Sequence, residues 1–244
     1  MMDNGFKARH ADGRIYTRRE AMTILGTSAL ALMARGVAAA DGLAPGNVCI
    51  ARPEQSEGPF FVDAVPDRSD LRTDPVTGAV IAGTPLRLEF VVATVANGGC
   101  APLSGAKVDV WHCDTEGRYS GEEGRAGTNA GQPFLRGFQV TGADGVASFL
   151  TIFPGAYGGR TVHIHFKIRT AAAGGGTSAL TSQIYFDDAL TDRIYAAGPY
   201  AAERQRMRNR DDYLYPHGGL QLTVTPTRSG DAWVARFAVG LTHA

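Results

Sequence analysis

Apolar and polar residues alternate along much of this chain with the two-residue period of β-strands. The clearest run sets Val162, Ile164, Phe166 and Ile168 against Thr161, His163, His165 and Lys167. A strand here puts four apolar side chains on one face and two histidines, two residues apart, on the other. Pro85 to Ala96 is rich in Leu, Val and Phe, and Lys107 to Cys113 sets Val108, Val110 and His112 against Asp109, Trp111 and Cys113. Phe134 to Thr141 and Gly145 to Phe153 flank Asp144-Gly145, a strong hairpin signal. Leu180 to Phe186, Gly219 to Thr225 and Ala232 to Val239 bring the expected strands to about eight, and Ala171 to Gly176 reads as a loop of small residues. Only Ala189 to Tyr215 looks partly helical, with Asp188 or Thr191 as its cap. Short strands punctuated by glycine turns predict an all-β, two-sheet sandwich (prealbumin- or immunoglobulin-like) with a short helical segment late in the chain.

The first forty residues follow another pattern. Arg14, Arg18 and Arg19 precede the apolar run Ile24 to Ala34, which gives way to Val37-Ala38-Ala39-Ala40. Basic, apolar and small-residue regions in that order predict an export signal over residues 1–40, and Arg18-Arg19 gives it the twin-arginine form. The run is far shorter than the ~20 residues of a membrane span, so no stable membrane insertion is expected once the signal is removed. Residues 41–244 then form one domain. The whole chain has 24 basic and 24 acidic residues; without the six basic and three acidic residues of the signal, 18 stand against 21. That balance argues against a nucleic-acid partner.

Three cysteines, Cys49, Cys100 and Cys113, lie in the domain. In an exported protein an odd count predicts one disulfide and one free thiol. Cys113 falls in an alternating strand and reads as the buried thiol, whereas Cys49 and Cys100 lie beside turn residues and read as the pair. Their spacing forms no zinc-ribbon pattern.

Candidate chemistry gathers at four places. The histidine strand is preceded by Pro154-Gly155, Tyr157, Gly158-Gly159 and Arg160, which set a phenol on a tight loop beside a guanidinium. Val110 to Ser120 runs from a strand through a turn to Tyr119; Ser182 to Phe186 puts Gln183 and Tyr185 on one strand face; Glu57 to Asp63 contains Phe60 and Phe61. Each has an ordinary structural explanation: a hydrogen-bonded polar face for the histidines, a corner tyrosine, a surface ion pair for Arg160, a satisfied amide for Gln183.

Taken in order, these four motifs resemble the intradiol ring-cleavage dioxygenases over about residues 49–226. The resemblance implies a non-haem Fe(III) bound by Tyr119, Tyr157, His163 and His165, with Tyr157, Arg160 and Gln183 acting in catalysis. It implies a small aromatic diol and O2 as partners, a muconate-type diacid as product, and an oligomeric state left open. Phenolate is a hard, strongly donating anion, so two of them favour ferric iron. Tyr157, on its glycine-flanked loop, would take a proton from the arriving diol. Only Gly158 and Gly159 separate Tyr157 from Arg160, where better-known members carry a longer insertion. Gly158 and Thr161 stand where prolines are common, and the helical dimerisation segment of catechol-type enzymes is missing. A cupin-like site fails because Thr170 stands where its glutamate belongs. The alternative outside enzymology is a metal-free, prealbumin-like binding module on the same sandwich.

Overall fold

A computed structural model describes residues 50–75, 77–96, 99–121, 133–171, 175–200 and 206–242. Two five-stranded sheets form the sandwich. The first holds β1 (Pro85–Ala96), β2 (Gly99–Pro102), β5 (Val146–Ile152), β9 (Thr227–Ser229) and β10 (Ala232–Leu241). In it β1 runs parallel to β10 on one side and antiparallel to β2 and β5 on the other. The second sheet has the order β4 (Arg136–Val140), β3 (Lys107–Trp111), β6 (His163–Ala171), β7 (Thr177–Phe186), β8 (Thr223–Val224).

The predicted alternation is realised in the core. Leu86, Leu88 and Phe90 of β1 and Phe237 of β10 meet Val108 and Val110 of β3 and Ile164, Phe166 and Ile168 of β6. Phe90 lies at the centre, 5.3 Å from the Phe166 ring and 5.9 Å from that of Phe237. Fully burying side chains of this kind contributes about 1.5–3 kcal/mol each, and it locks the register: a one-residue slip of β6 would drive His163 and His165 into this core.

Four expectations need correction. Helix α1 (Asp188–Ala197) is capped by Asp187, not by Asp188 or Thr191. Asp187 has the extended backbone that a cap requires and its carboxylate accepts the Leu190 amide at 2.9 Å, while Asp188 pairs with Arg206. Gly219–Leu222, read as the start of a strand, is a short helix, α2, and only Thr223–Val224 pairs as β8. Gly218, at φ +94°, turns the chain so that the Gly219 amide reaches the Tyr215 carbonyl. The alternation of Leu220 and Leu222 is therefore one exposed and one buried helical position. Strands β2 and β9, too short to show a period, raise the expected eight strands to ten among the described residues. Finally, the turn at Asp144-Gly145 does not close a hairpin ladder: β4 pairs with β3 in one sheet and β5 with β1 in the other, so the turn carries the chain between sheets.

Cys113 is free and buried, as expected. Cys100 is disulfide-bonded; its expected partner Cys49, and the export signal, lie outside the described residues.

Candidate active site

The register of the second sheet builds the site's rear wall. His165 lies between Trp111 of β3 and Gln183 of β7, and His163 lies beside Tyr185. These side chains share the face of the sheet turned away from the sandwich core. The segment from Ile50 to Phe61 covers that face: the Gln55 amide reaches the Thr181 carbonyl, Ser182 Oγ donates to the Pro53 carbonyl, and Gln183 Nε2 donates to that of Ser56. His163 and His165 are thus almost wholly buried, at 3% and 2% exposure.

Two loops bring the tyrosines. After β3, Asp114 folds a turn around its own carboxylate, which accepts the amides of Glu116 and Arg118 at 2.9 Å and the Arg118 Nε at 2.7 Å. The turn delivers Tyr119 into the interior, stacked on Phe60 with ring centres 4.2 Å apart. Arg136 of β4 clamps the arrangement, donating to Ser120 Oγ at 2.6 Å, to the Ser120 carbonyl and to the Phe60 carbonyl at 2.9 Å. The second loop carries Tyr157 on a turn closed by the Arg160 amide on the Tyr157 carbonyl. The Tyr157 ring stands edge-on to both Tyr119 and Phe60, at 5.4 Å from each.

The loops touch where only glycine fits. A β-carbon on Gly117, at φ +79°, would lie 2.2 Å from the Ala156 carbonyl oxygen, and one on Gly155 would lie 2.3 Å from that of Asp114. This glycine seam fixes the distance between the two tyrosines.

Three donor atoms converge. Tyr119 Oη is 3.1 Å from His163 Nε2, which is 3.0 Å from His165 Nε2. His163 Nδ1 donates to the Thr161 carbonyl at 2.6 Å, so a neutral ring directs its Nε2 lone pair into the site. Burial pushes the pKa of His163 down to about 4 and that of His165 well below its ordinary value, so both rings are neutral. Burial also pushes the Tyr119 phenol well above its ordinary value; it becomes a phenolate only beside a strong positive charge. Donors bound at about 2 Å around one ion stand roughly 3 Å apart at right angles. The spacing, the neutral imidazoles and the phenols fit a hard cation. Among the described residues no group of three or more His, Cys, Asp or Glu side chains offers a rival metal site.

Arg160 and Gln183, read from sequence as site residues, do meet. Arg160 Nη2 donates to Gln183 Oε1 at 2.7 Å and to Tyr185 Oη at 3.2 Å, and Tyr185 donates in turn to Gln55 Oε1. The ion pair of Arg160 is buried rather than superficial: Nε donates to Asp212 Oδ2 at 2.8 Å. Sequence reading missed Asp212, Arg136 and Gln55, whose roles arise from contacts across many residues. The second cysteine expectation has a physical counterpart here: Cys113 Sγ lies against the Gly155 carbonyl, and burial pushes its thiol up to about 12.

The groups open onto one cavity of about 270 Å³, bounded by Pro59, Phe60, Tyr157, Arg160, Tyr213 and Leu214. That is just under the ~300–1,000 Å³ typical of drug-sized ligands and suits a single ring.

Residues 56–213 match a family model described as "Dioxygenase". Among solved structures, an intradiol ring-cleavage dioxygenase from Tetranychus urticae is 30% identical with a TM-score of 0.65, over 80% of this chain and 95% of that one. The dioxygenase domain of a dioxygenase–carbohydrate-binding fusion from Streptomyces sp. SirexAA-E is 31% identical with a TM-score of 0.58, over 80% of this chain and the whole of that one. The protocatechuate 3,4-dioxygenase beta chain of Burkholderia cepacia is 35% identical over 156 residues, 59% of this chain and 65% of that protein. A chlorocatechol 1,2-dioxygenase of Pseudomonas sp. (strain P51) is 27% identical over 54% of each chain. The chain thus belongs to the intradiol ring-cleavage dioxygenase family. It spans about half to two thirds of the length of these curated relatives.

Proposed function

We propose that this protein opens a catechol-type ring between its two hydroxyl-bearing carbons, inserting both atoms of O2 to give a muconate-type diacid. Tyr119, Tyr157, His163 and His165 would hold one ferric ion. The observation that carries the reading is the convergence of Tyr119 Oη and the two histidine Nε2 atoms at 3.0–3.1 Å, with Tyr157 facing the same cavity.

When bound, ferric iron would supply the electron withdrawal that opens a chelated catecholate to O2. The remaining work falls to the chain. Tyr119, enclosed against Phe60, would be the anionic donor that stays in place beside the ferric ion. Tyr157, part-exposed on its turn between Ala156 and Gly158, takes a diol proton at Oη and moves aside. The Thr161 carbonyl keeps the His163 lone pair aimed into the site. Arg160, oriented by Gln183, stabilises negative charge as it develops on the ring. Pro59 and Phe60 supply apolar lining to the cavity.

Export by a twin-arginine-type signal over residues 1–40 belongs to the same reading, supported by Arg18-Arg19 and the apolar run that follows. A disulfide at Cys100 suits an oxidising destination.

The activity is tested by giving the iron-loaded protein 18O2 with catechol, a carboxylated catechol, a chlorocatechol and a hydroxyquinol. At least one should yield a ring-opened diacid carrying two labelled oxygens. Failure to open any of the four would refute the assignment.

A further inference from the structure

We infer that Asp212 is a positioning residue for the reaction, acting through Arg160; this rests on the activity proposed above. Its side chain is fully buried, and four donors saturate it. Oδ2 accepts Arg160 Nε at 2.8 Å and the Thr161 amide at 2.7 Å, while Oδ1 accepts the amides of Leu214 at 2.7 Å and Tyr215 at 3.2 Å.

Two consequences follow from that geometry. First, a planar guanidinium held at Nε by Asp212 and at Nη2 by Gln183 and Tyr185 has no freedom to rotate. Nη1 is then the nitrogen with no protein hydrogen bond among the described residues, the donor left for whatever occupies the cavity that Arg160 lines. Second, the same carboxylate accepts the amides of Leu214 and Tyr215 and so holds in place Tyr213 and Leu214, which line the cavity; the Tyr213 ring centre lies 5.2 Å from the guanidinium carbon. One buried charge thus sets both the direction of the cation and the position of the wall facing it. Among the described residues Asp212 makes no hydrogen bond to Tyr119, His163 or His165. Thr161, which links it to His163, has a second anchor in Asn209, whose Oδ1 accepts the threonine hydroxyl at 2.7 Å.

The test is a double-mutant cycle of Asp212→Asn and Arg160→Gln. Asp212→Asn preserves shape but turns an amide toward donors that need an acceptor. It should keep its iron and resting visible spectrum, and it should bind catechol without O2 within about threefold of wild type. Its kcat per iron should fall roughly 10²-fold, the scale of a 1 Å misplacement. In the Arg160→Gln background the same change should cost less than about threefold, because the residue it acts through is gone. The thermal midpoint of the metal-free chain should show matching non-additivity.

A loss in kcat of equal size in both backgrounds would overturn the inference, as would near-normal turnover by Asp212→Asn. If Asp212→Asn does not fold, folding of the double variant would establish the coupling, and failure of both would assign Asp212 to the scaffold alone. A wild-type protein that opens no catechol would defeat the proposed activity instead; the metal-free cycle would still report whether Asp212 and Arg160 act as a unit.

Discussion

Gly117→Ala probes how the fold sets the spacing of the two site tyrosines. At φ +79° an alanine costs about 1–2 kcal/mol in backbone strain. Its β-carbon would also stand 2.2 Å from the Ala156 carbonyl oxygen and 3.3 Å from the Tyr157 α-carbon. The loops must part by about 0.8 Å to restore a 3.0 Å contact, and forced repacking of that kind costs about 1–3 kcal/mol. The total is roughly 2–5 kcal/mol, or about 4–20 °C in thermal midpoint for a domain of this size. Gly105→Ala supplies the control, since φ is +81° there and no atom lies within 4 Å of the added carbon; it should lose only the strain, about 1–2 kcal/mol. Calorimetry on both variants isolates the contact, and kcat per iron should fall well below wild type for Gly117→Ala alone. If the two variants melt together and Gly117→Ala turns over normally, the glycine seam does not set the tyrosine spacing.

Tyr157→Phe should retain most of its iron and bind catechol yet turn over slowly, whereas Tyr119→Phe should lose most of its iron or colour; normal turnover by Tyr157→Phe would refute its role as base. His112 sits between the Cys113 carbonyl and Thr151 Oγ1, and burial pushes its pKa down to about 4. The unfolded chain therefore binds a proton that the fold does not between about pH 6.5 and 4, so His112's share of stability is complete above that window and declines through it on acidification. The slope approaches 1.4 kcal/mol per pH unit per histidine, and metal-free His112→Gln should show a pH dependence of stability shallower by about one proton; parallel curves would contradict this. Arg18→Lys combined with Arg19→Lys should leave folded protein in the cytoplasm by fractionation, and unchanged export would remove the twin-arginine reading.

Much of the scaffold was legible because burial enforces a period. Val162 to Ile168 alternates so strictly that both the strand and the common face of His163 and His165 follow from it. The strand from Pro85 to Ala96 was legible for a related reason, a run of Leu, Val and Phe with no breaker inside it. Legibility failed where a few residues decide. Leu220 and Leu222 alternate as a strand would, but Gly218 in the left-handed region turns them into a helical pair. Asp212 lies in a polar run with nothing to distinguish it from Asp211, and only the return of the chain beside Arg160 makes it a buried partner. The contact between Gly117 and Ala156 is equally silent, because glycine in a turn has many uses and its neighbour is supplied by another loop. Periodic patterns report which face is buried; they carry no information on which loops meet.

On the proposed function, Tyr119, Tyr157, His163 and His165 hold a ferric ion. The most direct measurement is metal analysis of the purified protein together with its visible spectrum. One iron per chain with a red-brown tyrosinate-to-iron charge-transfer band, both lost in His163→Ala and His165→Ala, is the expected result. A colourless protein that carries zinc and remains inactive after reconstitution with iron would contradict the account.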